Sequence, residues 1–322
     1  MAVSAIRKWF KPKAAQPVSQ VSITSSVAGL ALCASSRGTK LLACESALER
    51  GLDRHGRILA QWVNEAGLVG APTNAVLHPS EYQIVLVEAP SVPPEEYVDA
   101  LKFRLRDLIS IPPAEAIFDV FPLPEDAFRG RMRMLYLVAT PQSTTQRLEN
   151  LCVEAGLVLE SVDIAEMALR NISSKAHTDE NSVGLLQLGY GEGIINLSQG
   201  QNIYLTRRIG VQFSENDFDH LVPGESIPFA LADKLDALVL EIQRSLDYYE
   251  SQLGKGVVRK LMFAPTPFDL ETIQNTLKTN LRVELSTLDI NHLLETKENI
   301  SVRQQAFCLH ALGGSLRQRG ED

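Results

Sequence analysis

Ser182-Val-Gly-Leu-Leu-Gln187-Leu-Gly189-Tyr-Gly191-Glu-Gly193-Ile-Ile-Asn-Leu-Ser-Gln-Gly200-Gln-Asn-Ile-Tyr-Leu-Thr-Arg-Arg-Ile209 decides the fold. Three apolar runs of strand length, Val183 to Leu188, Ile194 to Leu197 and Ile203 to Leu205, are separated by a glycine cluster and by Gln199-Gly200-Gln201-Asn202. That pattern predicts a three-stranded meander. The second connection is an ordinary hairpin. The first carries Gly189, Gly191 and Gly193, which together permit positive φ and close approach to the main chain.

A weaker copy opens the chain. Gln20-Val-Ser-Ile-Thr-Ser-Ser-Val-Ala-Gly-Leu-Ala-Leu-Cys33 is a strand, a turn of small residues and a second strand, and Lys40 to Cys44 is a third. Two similar meanders about 160 residues apart, each followed by segments of helical periodicity, predict two related lobes rather than a short-period array.

Between them, Ala75 to His78 and Gln83 to Glu88 read as strands, and Ser91-Val-Pro-Pro-Glu-Glu96 as a strong helix start. Tyr97, Leu101, Leu105 and Leu108 mark one buried face of a helix that Ile111-Pro112-Pro113 stops. With strands over Ile117 to Phe121 and Met132 to Ala139, residues of about 76–140 form an expected small α+β unit set into the first lobe. Helices are expected over Gln142 to Ala155, Asp163 to Asn171, Leu231 to Leu253, Leu270 to Thr279 and Val302 to Arg317. The expected division is a basic tail at 1–17, lobe I at 18–165 and lobe II at 166–322, with helix 302–317 packing back at the interlobe hinge.

Composition bounds the function. With 322 residues, 45% of them apolar, the chain can bury two ordinary cores. A net charge of −8 argues against a general nucleic-acid binder. No apolar run approaches the ~18 residues needed to span a bilayer, so membrane contact is expected to be peripheral. The tail carries Arg7, Lys8, Lys11 and Lys13 around Trp9-Phe10, which suits anionic lipid as well as it suits a disordered basic segment. Cys33, Cys44, Cys152 and Cys308 lack Cys-x-x-Cys spacing and the six histidines lack metal spacing, so no metal site is expected.

Glu88-Ala-Pro-Ser-Val-Pro, the helix ending in Ile111-Pro112, Glu154-Ala-Gly-Leu-Val-Leu-Glu-Ser-Val-Asp163-Ile-Ala-Glu166-Met-Ala-Leu, Glu241-Ile-Gln-Arg-Ser-Leu-Asp-Tyr-Tyr249 and Ala311-Leu-Gly-Gly-Ser-Leu-Arg317 follow in order almost end to end. In that order and spacing they resemble the PilM family of type IV pilus assembly proteins, most of all its MshI branch from the MSHA pilus system, and more distantly the GspL cytoplasmic domain. The resemblance implies an α/β, actin-like two-lobed (ribonuclease H-like) fold with a small α+β subdomain inserted in lobe I. It also implies a cytoplasmic scaffold, peripheral at the inner membrane. Such a scaffold holds the cytoplasmic tail of a PilN-like bitopic inner-membrane protein in a groove of the first lobe, and reaches the pilus motor indirectly.

Actin-like ATPases hold phosphates between two glycine hairpins, each opening with an aspartate for a magnesium-bound water. Backbone N–H groups and hard-cation carboxylates do that chemistry. Here the first Asp-x-Gly positions read as Ser22 and Thr24, with only the hydroxyls of Thr24, Ser25 and Ser26; in the second, Gln187 replaces the aspartate while Gly189 and Gly191 remain. The adenosine turn expected after the Leu261 strand reads Phe263-Ala-Pro-Thr-Pro267. No cofactor and no catalytic residue is therefore expected, ATP and Mg2+ being the ligands to test, and the reading leans away from an enzyme. The alternative is an ATP-binding switch or ATPase whose lobe closure regulates the partner. Tight turns of the fold rank ahead of a phosphate role for Gly189, Gly191 and Gly193.

Asp163 and Glu166, one helical turn apart, could serve as an acid–base pair, but a helix start is the preferred reading. Ala165 and Ala168, with Ala311, Gly313 and Gly314, suit two helices crossing closely between lobes. Asp163, Glu166, Gly313 and Gly314 are the expected hinge residues. Arg104, Ile111 and Pro112 are candidates for the wall of the partner groove, against their alternative roles in packing and helix termination.

Overall fold

The computed structural model describes residues 20–317 apart from 37, 50, 178–180, 190–192, 219–220, 222–225 and 269. The basic tail and Gly191 lie outside the described residues. Lobe I comprises β1 (Gln20–Ser26), β2 (Gly29–Ser36), β3 (Lys40–Ala47), α1 (His55–Glu65) and β4 (Pro72–Leu77). The insert follows: β5 (Gln83–Glu88), α2 (Tyr97–Lys102), α3 (Leu105–Leu108), β6 (Ala116–Pro122) and β7 (Met134–Pro141). Lobe I resumes with α4 (Gln142–Ala155) and β8 (Val158–Ile164). Then come α5 (Ala165–Ala176), β9 (Ser182–Gln187), β10 (Gly193–Gln199), β11 (Asn202–Ile209) and α6 (Phe229–Ser251). The chain ends in β12 (Lys260–Phe263), α7 (Leu270–Asn280), β13 (Glu284–Thr287), α8 (Ile290–Leu293) and α9 (Val302–Ser315).

The two meanders head sheets of one design. Lobe I has the order β3-β2-β1-β4-β8 and lobe II β11-β10-β9-β12-β13. In each the meander is antiparallel, its first strand pairs in parallel with the fourth in line, and the fourth pairs in parallel with the fifth. Such sheets are covered on both faces, and strand alternation divides the apolar residues between two cores. Leu30, Leu32 and Ala34 of β2 join Leu59, Val63, Leu148 and Cys152 under α1 and α4. Ala31 and Cys33 of the same strand face inward, joining Leu169 and Ile172 of α5 and Cys308, Leu309 and Leu312 of α9.

α5 and α9 thus fill the space between the sheets. Although sequence order puts α9 in lobe II, it lies across β1 to β4 of lobe I and against α5. The crossing is very close. A Cβ on Gly313 would stand 2.2 Å from the Ala168 carbonyl oxygen, and one on Gly314 would stand 2.2 Å from Ser22 Oγ. The segment ahead of α9 also covers an edge, since Leu41 N–H donates to Glu295 O at 2.9 Å and Glu295 N–H to Thr39 O at 2.8 Å.

Two expectations about the insert change. Val76 and Leu77 belong to β4 of the lobe I sheet, so the unit begins later than 76. The single helix expected before Ile111 is two short ones, parted at Phe103-Arg104, where Arg104 N–H closes a tightened turn on Leu101 O at 2.9 Å. The insert sheet, in the order β5-β7-β6, carries packed apolar residues on both faces. Val87, Leu135 and Leu137 pack with Tyr97, Leu101 and Leu105. On the other face Tyr136, with Ile84, Leu86 and Phe121, joins the lobe II core of Leu186, Leu205 and Leu238. The insert therefore touches both lobes.

Candidate functional site

The turns of both meanders open on one interlobe cavity of about 490 Å3. Thr24, Ser26 and Gly29 line it from lobe I, Gln187, Gly189, Pro265 and Pro267 from lobe II, and Arg303, Phe307 and His310 from α9. Thr24 and Gln187 alternate with Ser26 and Gly189 at the ends of β1 and β9. Of the three hydroxyls expected at the first turn, Thr24 and Ser26 are on the cavity wall. Ser22 lies outside the cavity, fully buried beneath Gly314.

Ser25 is also absent from the cavity wall. Its Oγ faces the other side of β1, 2.9 Å from His55 Nδ1 and accepting from Arg147 Nη1 at 3.0 Å. Arg147 further binds Ser25 O at 3.0 Å and Glu81 at 2.7 Å. Sequence spacing alone gave no sign of this, because Arg147 is more than a hundred residues away.

Gln187 is engaged as well. His310 Nε2–H donates to its Oε1 at 2.8 Å. Burial, with His78 nearby, pushes the His310 pKa down to about 3, so the ring is neutral at pH 7. A depressed folded-state pKa means stability that is full above the ordinary value of 6.5 and is lost as pH falls toward 3. His310→Gln, which keeps a donor but does not titrate, is expected to flatten that acid-side loss. Urea unfolding at a series of pH values reads it; an unchanged slope sinks the assignment.

Among the described lining residues there is no carboxylate, and Arg303 is the cation. From that described donor set a magnesium ion would have to be held by water and phosphate oxygens rather than by a side-chain carboxylate. Pro265 and Pro267 offer no N–H where an adenosine turn would supply them. The glycines divide. A Cβ on Gly193 would meet Gln187 O at 2.8 Å, so the fold requires that glycine. Gly189 has open space around its Cβ position and no left-handed φ. Gly189→Val should therefore change stability by less than about 0.5 kcal/mol while narrowing the cavity, which makes it a clean blocker in ligand titrations.

A second cavity, of about 620 Å3, runs between the insert and lobe II. Its walls are consecutive residues of two strands, Gln83 to Leu86 of β5 and Leu205 to Arg208 of β11. Both strands are at sheet edges. Glu166 and Tyr82 are also on its wall: Tyr82 Oη–H donates to Glu166 Oε2, and its oxygen accepts from Ala165 N–H at 3.2 Å. Arg208 stacks 4.8 Å from the Tyr82 ring and lies 4.0 Å from Glu166 Oε1. Burial pushes the Glu166 carboxyl above its usual range, with Tyr82 and Arg208 opposing.

Asp163 is occupied separately. It accepts from Ile164 N–H at 2.9 Å and faces Arg317 at 3.8 Å. Burial raises its pKa too. Each carboxylate of the suggested acid–base pair is thus committed to its own partners. Arg104, Ile111 and Pro112 line neither cavity: Arg104 and Pro112 are exposed and half-buried Ile111 packs into the insert core. Sequence reading also missed that Cys33, Cys44 and Cys308 meet, their sulfurs lying within 4.8 Å of one another.

No family model matches the sequence, and no curated protein matches it. Solved structures do. A PilM-PilN type IV pilus biogenesis complex is similar over 92% of this chain and 97% of that one, with a TM-score of 0.70 and 17% identity. A Bacteroides thetaiotaomicron protein with actin-like ATPase fold is similar over 86% and 92%, at TM-score 0.51 and 11% identity. The cytoplasmic domain of EpsL, an inner-membrane component of the type II secretion system of Vibrio cholerae, aligns over 91% and 94%, at TM-score 0.49 and 13% identity. With its paired sheets and bridging insert, the chain has the actin-like ATPase fold in a PilM-like form.

Proposed function

We propose that this protein is a cytoplasmic, non-catalytic scaffold of a type IV pilus assembly machine of MSHA type, an MshI-like member of the PilM family held at the inner membrane by a PilN-like partner. The observation that carries the reading is the likeness to a PilM-PilN complex along nearly the whole chain, joined to a cleft whose described lining lacks carboxylates. Among the described residues no helix is long and apolar enough to cross a membrane, which agrees with attachment through a partner.

The partner's tail binds the insert face. An extended peptide gains main-chain hydrogen bonds from a free strand edge, and side-chain pockets select it. The edges of β5 and β11 supply both, with Arg207 favouring acidic positions on the tail. The competing reading, an ATP-gated switch, draws on the interlobe cavity and its Arg303.

Calorimetric titration with a synthetic PilN-like cytoplasmic tail, with and without millimolar ATP and Mg2+, separates them. The scaffold predicts saturable tail binding, no heat with ATP and no change on Gly189→Val. Arg207→Glu is expected to weaken the tail by about 1–3 kcal/mol, as for loss of a charged contact. Micromolar ATP binding, lost in Gly189→Val, would replace the scaffold by the switch.

A further inference from the structure

The three cysteines that meet beneath the cleft come from three elements. Cys33 of β2 and Cys44 of β3 are directly opposite in an antiparallel ladder, and Cys308 reaches them from α9. Cys33 Sγ stands 3.8 Å from Cys44 Sγ, Cys308 Sγ donates to Glu45 O at 3.4 Å, and all three sulfurs lie within 4.8 Å of one another. All three thiols are free.

Those distances match a metal site more closely than they need to for packing. At a metal–sulfur distance of ~2.3 Å, the sulfurs of a trigonal site stand about 4 Å apart. Cys33 and Cys44 already have that separation, and the third sulfur needs to move by less than an ångström or so. No histidine or carboxylate joins the group among the described residues, so a fourth ligand of the kind structural zinc takes is missing. The surroundings are apolar, with Ala31, Leu41, Leu309 and Leu312 in the same core, and hard oxygen-seeking cations gain nothing there.

We propose that Cys33, Cys44 and Cys308 form a three-thiolate site for a soft monovalent cation, copper(I). Thiolate donors suit copper(I) and zinc among first-row ions, and with three sulfurs and no fourth ligand in the group the three-coordinate ion is the one that fits. Binding displaces the protons that the buried thiols carry, so affinity rises with pH. Cys44, the half-buried member of the three, provides the point of entry. The bound ion ties β2 and β3 to α9, on the reverse of the wall that carries Arg303, Phe307 and His310 into the cleft.

The test is an anaerobic titration of the fully reduced full-length protein with copper(I), using bicinchoninate as competing chelator. One equivalent should be held, and X-ray absorption at the copper edge should show three sulfur neighbours. Loss of an outer-shell partner alone costs 10–100-fold in affinity, so Cys44→Ser, which removes a ligand, should cost more than about 100-fold. Cys152→Ser, in the separate core beneath α4, should change nothing. Cys33→Ser and Cys308→Ser should match Cys44→Ser; if either fails to fold, the sulfur count in Cys44→Ser decides. Copper surrendered to the chelator, an unaltered sulfur count in Cys44→Ser, equal loss in Cys152→Ser, or zinc that copper(I) cannot displace would each overturn the proposal.

Discussion

Gly313→Ala is expected to destabilise the protein by about 3 kcal/mol, the reverse of what helix propensity predicts. In a free helix face alanine is better than glycine by roughly 1 kcal/mol. Here the new Cβ would lie 2.2 Å from the Ala168 carbonyl oxygen and 2.6 Å from its carbon. Those are backbone atoms of α5 and cannot rotate away. The helices must separate, and overpacking of that kind costs about 1–3 kcal/mol or more. Gly314→Ala differs because its obstacles are Ser22 Oγ and Val76 Cγ2, both side-chain atoms. Pairing it with Ser22→Gly should recover part of the loss, whereas no side-chain change near Ala168 should rescue Gly313→Ala. Urea unfolding of the four variants measures this. Wild-type stability for Gly313→Ala would mean that the helices do not cross as described.

Glu166→Ala should cost as much or more, about 3–5 kcal/mol, by the usual price of stripping one partner from a buried charged group. The variant leaves Tyr82 Oη without its acceptor and Arg208 without the carboxylate, and opens a void where a fully buried side chain stood. Glu166→Gln separates charge from packing. Glu166 and Asp163 both have raised pKa values, so the stability they give is complete below the unfolded carboxylate range and is lost as pH rises through the folded values. Replacing Glu166 by glutamine should therefore soften the decline on the alkaline side of that window. Unfolding midpoints across the window decide it; an unaltered profile would show that Glu166 does not titrate with folding.

The paired sheets were legible because each meander states its turns twice, in small residues and in strand-length apolar runs, as Val183 to Leu188 shows. The crossing of α5 and α9 was legible for a similar reason, since Gly313-Gly314 and the Ala165/Ala168 pair have little to do except admit a neighbour. What sequence could not show was register against distant elements. Ser22 looks like a cleft residue until Gly314 is placed over it, and Ser25 until Arg147 reaches it from α4. Arg104 and Pro112 are exposed and lie outside both cavities, so their place in a groove rests on the resemblance alone. The cysteines mislead in the opposite sense: 11 residues separate Cys33 from Cys44 and 275 separate Cys33 from Cys308, so only the fold makes them a cluster.

The insert sheet lies against the lobe II core and is covalently part of lobe I, and Tyr204, Asp126 and Lys255 join the two sides as firmly as Tyr82, Glu166 and Arg208 do. A jaw motion about α5 and α9 would shear this brace, breaking apolar packing and both polar clusters together. The brace therefore opposes a change of angle between the lobes. If it holds, whatever docks on the molecule is kept at a set distance and orientation from everything else attached, and signals would pass through occupancy rather than through a stroke.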